Sequence, residues 1–298
     1  MEYCFFEISI VAKNEIILPQ FKGSAFRGVL GHALRQTSCV TQMINCEYCI
    51  LRHNCAYAYL FETFNSRNES VARPFVLEPP LTEKKLFPPG DTLKFNLILF
   101  GKAIEYFPLL VYTFKEMGKR GIGVKRGKFW LKQVTVSDQV VYDYQEQMIK
   151  TNFRRQNIFS IEKEQSKFLR IRFLTPTALK VKGKITNTID FITLLKSIRR
   201  RIKALNVYHN GQLREVFDID FEKAEEVKVK KSAIEEFRWE RYSNRQQKKI
   251  DYSGFWGEME LEGDLTPFMA ILRMGEIVHI GRGTVYGMGK YVIESVVS

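Results

Sequence analysis

The sequence predicts an α+β protein made of two successive βαββαβ halves, and three observations predict it. Short runs of β-branched and aromatic residues alternate with stretches whose apolar residues fall at helical spacing. Each half closes in the order strand, helix, glycine-rich loop, strand. The two loops, Gly121-Ile122-Gly123-Val124-Lys125-Arg126-Gly127 and Gly281-Arg282-Gly283-Thr284-Val285-Tyr286-Gly287, share the pattern G-x-G-x-x-x-G in matching places. Split βαβ units joined in this way give the ferredoxin-like fold. The halves are therefore read as tandem ferredoxin-like domains, residues 1–145 and 146–298, with a cysteine-rich insertion at 39–55 in the first.

Tyr3 to Ala12 is the opening strand. Phe26, Val29, Leu30, Ala33 and Leu34 then mark a helix, with Ser24 available as its N-cap. Gly28 and Gly31 within it allow the close approach of another backbone or of a phosphate. Pro74, Pro79, Pro80, Pro88 and Pro89 mark extended loop. Thr92 to Phe100 reads as strand, Ala103 to Met117 as helix and Phe129 to Val136 as strand. The polar stretch Gln145 to Gln165 is the linker candidate. Beyond it, Phe168 to Phe173 is a strand and Thr188 to Ala204 a helix. Gly254 to Glu262 (strand), Leu265 to Met274 (helix) and Lys290 to Val297 (strand) repeat the earlier order.

The 298 residues carry 46 Lys and Arg against 33 Asp and Glu, a net charge of +13, which favours a polyanionic partner. No apolar run is long enough to span a membrane. Met1 to Ala12 lacks the basic-then-apolar order of a signal peptide, so a cytoplasmic location is expected. In a reducing compartment the five cysteines are not expected to pair as disulfides. Four of them, Cys39-x6-Cys46-x2-Cys49-x5-Cys55, have the spacing of a tetrahedral thiolate site, expected to hold structural zinc, with an iron–sulfur cluster as the alternative. His53 lies inside the same loop. Full ligation by four thiolates leaves no open position, so no catalytic role is assigned to the metal. Cys4, in the first strand, is read as a core residue.

The glycine loops do not fit dinucleotide binding, because they lie between a helix and a strand instead of a strand and a helix. Their glycines offer close approach to a phosphate and exposed N–H donors. Lys125, Arg126 and Lys128 surround the first loop, and Arg282 and Lys290 the second, so these residues and Gly281, Gly283 and Gly287 are candidate RNA contacts. Arg199, Arg200 and Arg201, at the end of a predicted helix, are further candidates, against the reading of a solvated helix end.

Phe21-Lys22-Gly23-Ser24-Ala25-Phe26-Arg27-Gly28, Tyr57-Ala58-Tyr59-Leu60-Phe61-Glu62-Thr63, Pro74-Phe75-Val76-Leu77-Glu78-Pro79-Pro80 and His279-Ile280-Gly281-Arg282-Gly283-Thr284 form an ordered set. With the tandem glycine loops, this set resembles the CRISPR-associated endoribonucleases of the repeat-associated RAMP superfamily, which process precursor CRISPR RNA. The resemblance implies recognition of CRISPR repeat RNA and one cut per repeat without a catalytic metal. It implies a 5′-hydroxyl and a 2′,3′-cyclic phosphate as products, and a cleaved RNA that is held or passed to a larger effector complex. The alternative is a non-catalytic scaffold subunit that coats a guide RNA.

Such a cut needs a base for the 2′-hydroxyl proton, an acid for the leaving 5′-oxygen and cations around the phosphorane. Of the four histidines, His32 is the first candidate for the base. It lies on the first predicted helix, near Lys22, Arg27 and Arg35, and the resembling family often places its base there. His279, leading into the second glycine loop, is the second candidate. Lys22 is the candidate for stabilising the transition state, and Arg27 and Arg35 for holding RNA. His209, beside Asn210-Gly211, is read as turn surface.

Overall fold

The computed structural model describes residues 1–63, 71–162, 164–181, 184–186, 188–209, 218–243 and 248–295. The expected Asn210-Gly211 turn and the end of the last expected strand, 296–297, lie outside them. The described elements fall into two compact units. One comprises Met1–Asn157 with Leu205–Gly211, and the other Ile158–Ala204 with Gln212–Ser298.

In the first unit the strands are β1 (Glu2–Ala12), β2 (Ile16–Ile17), β3 (Phe75–Glu78), β4 (Leu86–Phe87), β5 (Thr92–Phe100), β6 (Phe129–Val136), β7 (Gln139–Asp143) and β8 (Gln156–Asn157). Helix α1 (Gly23–Ser38) follows the β1–β2 segment, and α2 (Phe107–Arg120) follows β5. The main sheet runs β3-β5-β1-β6-β7 with antiparallel neighbours, and β8 pairs with the start of β1. Taken as β1, α1, β3, β5, α2, β6, this is the βαββαβ order with its first strand between its third and fourth. A core of aromatic side chains fills the unit. Phe6 stacks on Phe107 with ring centroids 4.4 Å apart, and Phe95 meets both Phe26 and Phe114.

The second unit repeats the order with β9 (Phe168–Thr177), β10 (Leu179–Val181), β11 (Lys184–Thr186), α3 (Phe191–His209, of which Leu205–His209 fall in the first unit), α4 (Phe221–Glu226), β12 (Lys228–Phe237), β13 (Glu240–Ser243), β14 (Lys248–Asp251), β15 (Gly254–Glu262), α5 (Met269–Val278) and β16 (Tyr291–Ser295). Its sheet runs β12-β15-β9-β16, again antiparallel throughout. The Tyr291 hydroxyl, fully buried, donates to the Leu272 carbonyl and ties β16 to α5.

Several boundaries differ from expectation for local reasons. Ser24 does not cap α1. The helix begins at Gly23, and the Lys22 carbonyl accepts from the amides of Ala25 and Phe26. The segment expected to be helix from Ala103 starts as a 3-10 turn over Gly101–Tyr106, and α2 proper begins with Pro108 in its first turn. Helix α3 runs past Ala204 to His209, which leaves Arg199–Arg201 inside the helix and not at its end. The first unit continues past residue 145 through Asn157. Phe153 packs edge-on against Phe6 and Phe107, Arg155 pairs with Glu2 at 2.9 Å, and β8 joins the sheet. Among the described residues no helix is long and apolar enough to cross a membrane.

Candidate functional site

Helix α1 buries Phe26, Leu30, Ala33 and Leu34 and turns His32 to solvent. Spacings of three and four residues place Arg35 and Gln36 beside that imidazole on the same face. Arg120, the last residue of α2, donates from Nε to the Gln36 amide oxygen at 2.8 Å, so the ends of the two helices meet here. The glycine loop after α2 supplies Arg126, whose backbone stands at φ 50°. The imidazole is held below its ordinary pKa by its partial burial first, then by the charges of Arg120, Arg27, Arg35 and Arg126. A neutral imidazole among four guanidinium groups is thus the state at neutral pH. It has an acceptor nitrogen to take a proton, next to cations that suit an anionic phosphorus centre.

Aromatic rings hold two of these arginines. The Arg27 guanidinium lies 4.8 Å from the centroid of Phe61, and that of Arg35 lies 5.6 Å from Tyr57. Arg35 also donates to the carbonyl oxygens of Met43 and Ile44 in the cysteine-rich segment. Gly31 is required by packing, since a Cβ there would stand 2.7 Å from Phe61, whereas a Cβ on Gly28 would meet nothing. At the tip of the first glycine loop, Val124, Lys125 and Arg126 are all exposed, as is Lys128 beyond it. Lys125 pairs with Glu15 at 3.0 Å on the surface.

Other expected site residues lie elsewhere. Lys22 is only 1% exposed, and its ammonium donates to the carbonyls of Gln20 and Thr82. That burial lowers its pKa, with Lys85 adding to the effect, and removes it from any phosphate at the surface. His279 is fully buried in the second unit, at φ 56°, and its Nδ1 is 3.0 Å from the Met288 carbonyl, across the glycine loop it precedes. His209 is buried and not on a turn surface. Its Nδ1 meets the Tyr59 hydroxyl at 3.1 Å and its Nε2 the Ala72 carbonyl at 2.6 Å. Of the arginine triplet, Arg200 is exposed, while Arg201 donates to the Val278 carbonyl at 3.3 Å and Arg199 is half-buried. Arg282 lies 5.4 Å from the Tyr252 ring and donates to the Asp251 carbonyl.

The glycines serve the protein's own backbone more than they offer N–H donors outward. In the first loop the amides of Gly121, Ile122, Val124, Arg126 and Gly127 all donate to carbonyls of this chain. In the second, those of Ile280, Arg282, Tyr286, Gly287, Met288 and Gly289 do the same. Lys290, half-buried, follows with its amide on the Thr175 hydroxyl.

Cys4 is buried in β1 as expected of a core residue. Cys39, Cys46, Cys49 and Cys55 are free thiols that line one pocket of about 130 Å³. Among the described residues no three His, Cys, Asp or Glu form a metal-holding group. Sequence reading passed over Gln36 and gave Arg120 no role of its own. The signal for Gln36 was its place four residues after His32, and for Arg120 its place directly before Gly121.

Comparison with known proteins adds to this picture. Residues 171–291 match the family model described as CRISPR-associated endoribonuclease Cas6, and residues 1–154 match one described as an N-terminal domain. An uncharacterized protein of Archaeoglobus fulgidus is 25% identical over 295 residues, covering 93% of each chain. Among solved structures, a Cas6 product complex aligns with a TM-score of 0.59 at 16% identity, over 99% of this chain and 100% of that one. The Cas6 of Thermus thermophilus aligns with a TM-score of 0.55 at 15% identity, over 98% of both. At these identities the structural likeness establishes the fold.

Proposed function

The chain belongs to the CRISPR-associated endoribonucleases that process precursor CRISPR RNA, and from that premise we propose that it cuts CRISPR repeat RNA at the His32 surface by attack of the 2′-hydroxyl. The observation that carries the proposal is the neutral, solvent-facing imidazole of His32 surrounded by Arg27, Arg35, Arg120 and Arg126. His32 takes the 2′-hydroxyl proton, and the 2′-oxygen forms its bond to phosphorus as the bond to the 5′-oxygen breaks. The 5′-oxygen takes up a proton from solvent and leaves as a hydroxyl, while the 2′,3′-cyclic phosphate stays on the upstream fragment. The guanidinium groups stabilise the charge that builds on the phosphorane. No metal ion is needed for these steps. Lys125, Arg126 and Lys128 hold the adjoining phosphates, a salt-sensitive contact. The cut RNA is then held or passed to a larger CRISPR effector complex.

The test is cleavage of end-labelled repeat RNA from the chain's own array, with EDTA present and the product ends mapped. The expected result is one cut per repeat, with a 5′-hydroxyl on one fragment and a cyclic phosphate on the other. Tight binding with no cut would replace the endonuclease with an RNA-coating scaffold. A cut that leaves a 5′-phosphate would rule out the 2′-hydroxyl attack.

A further inference from the structure

We propose that residues 39–55 close around one zinc ion held by Cys39, Cys46, Cys49 and Cys55, and that the closed loop holds Arg35 in place beside His32. The second part rests on the RNA-cleaving reading above, whereas the metal site stands without it.

The segment has no apolar core of its own to hold its shape. None of its residues is buried, and its apolar side chains Val40, Ile44, Tyr48 and Ile50 are 83, 94, 72 and 87% exposed. A chain of this length with no core is ordered most economically by a cross-link or a metal. It has no disulfide, although its four thiols line a common pocket. Its regular structure is a single 3-10 turn, Cys46–Tyr48, capped by the Asn45 side chain on the Glu47 amide at 3.1 Å. The Cys49 amide donates to the Cys46 carbonyl at 3.2 Å, so the turn carries both cysteines of the pair. That is the local geometry by which two sulfurs grip one ion from a single bend, with Cys39 and Cys55 arriving from the two ends of the segment. Four cysteine sulfurs do not gather by mutual attraction. Drawing four sulfurs to about 2.3 Å from a common centre takes the ion itself, and the loop tightens as it binds. With all four positions filled by protein, the ion is closed to substrate and acts as a structural clasp.

The link to the RNA surface is made by hydrogen bonds. Arg35 is in the last turn of α1, and its guanidinium donates to the carbonyls of Met43 and Ile44, both between Cys39 and Cys46. Fixing those carbonyls fixes the guanidinium that adjoins His32. Arg35 is thus a positioning point shared by the loop and the site.

The experiment begins with metal content of the full chain, purified under reducing conditions in zinc-containing medium and measured by mass spectrometry on the preparation used for RNA work. One zinc per chain is expected, lost in Cys46→Ser/Cys49→Ser, with cobalt substitution giving the absorption bands of tetrahedral Co(II)–thiolate. A wild-type chain that stays metal-free after zinc exposure, with its four loop thiols freely alkylated, overturns the site. An iron–sulfur chromophore overturns the choice of zinc. Repeat-RNA affinity is then compared for Arg35→Ala, for wild type stripped by a thiol-competing chelator, and for Arg35→Ala stripped in the same way. The stripped variant should bind no more weakly than the worse of the two single changes, and losses that multiply overturn the coupling. A chain that carries zinc but ignores repeat RNA overturns both the coupling and the functional reading, and leaves the metal site standing.

Discussion

The two glycine loops have the same pattern and the same place in their folds, but they present opposite faces to solvent. In each, an amide from the loop donates to a carbonyl that follows the first strand of its half, Val124 to Ile17 at 3.1 Å and Arg282 to Ala178 at 2.9 Å. In each, a glycine at positive φ lets the backbones touch, since a Cβ on Gly123 or Gly281 would overlap that same carbonyl oxygen. The first loop then turns Val124, Lys125 and Arg126 outward beside an exposed histidine on α1. The second buries Thr284, Val285 and Tyr286, and its histidine, His279, is bonded across the loop to Met288. The shared glycine pattern therefore encodes how a loop closes on its sheet. What the loop does is set by the residues between the glycines.

The comparison breaks most sharply at the histidines. His32→Ala is expected to lower single-turnover cleavage by about 10²–10⁴, the usual contribution of a positioned base, with RNA affinity nearly unchanged. Equal rates in mutant and wild type would move the chemistry off α1. His279→Ala should act on stability instead. It leaves the buried Met288 carbonyl without that partner and opens a void, at a cost of about 1–3 kcal/mol, read as a lower denaturant midpoint. A normal midpoint combined with lost cleavage would give His279 the chemical role.

The glycines sharpen the likeness between the loops. Gly123→Ala and Gly281→Ala should each destabilise by about 1–3 kcal/mol, since both need positive φ and a close carbonyl. Thermal melts of the two variants should shift together, and a shift at one position alone would mean that the loops close differently. The smallest effects belong to the exposed cations. Lys125→Ala and Arg126→Ala should each reduce the salt slope of RNA binding by about 1. Val285→Ala, inside the second loop, should leave that slope unchanged, and if it does not, the buried loop also contacts RNA.

The strands with alternating burial were legible from sequence, Thr92–Phe100, Phe129–Val136 and Gly254–Glu262 among them, because one face of each is core. Strand β12 was not. Lys228–Phe237 is an edge strand, exposed along almost its whole length and held by its ladder to β15, so its sequence carries no apolar alternation. His32 was legible as a residue of the first helix near basic side chains, whereas its exposure was not. The burial of Lys22, His209 and His279 was not, because each is buried with a polar partner supplied by a distant carbonyl or hydroxyl. Sequence spacing shows which residues share a helix face, but not which backbone carbonyl arrives from elsewhere.

The most direct test of the His32 assignment is the pH dependence of single-turnover cleavage, measured for the wild type and for Arg126→Gln. A base works in its unprotonated form, so the rate rises with pH through the pKa of the base and then levels. Burial and the four arginines place that rise below 6.5, and removing the charge of Arg126 should move it upward without abolishing the plateau. A rise at or above 6.5 in the wild type, or one that does not move in Arg126→Gln, would contradict His32 as the base.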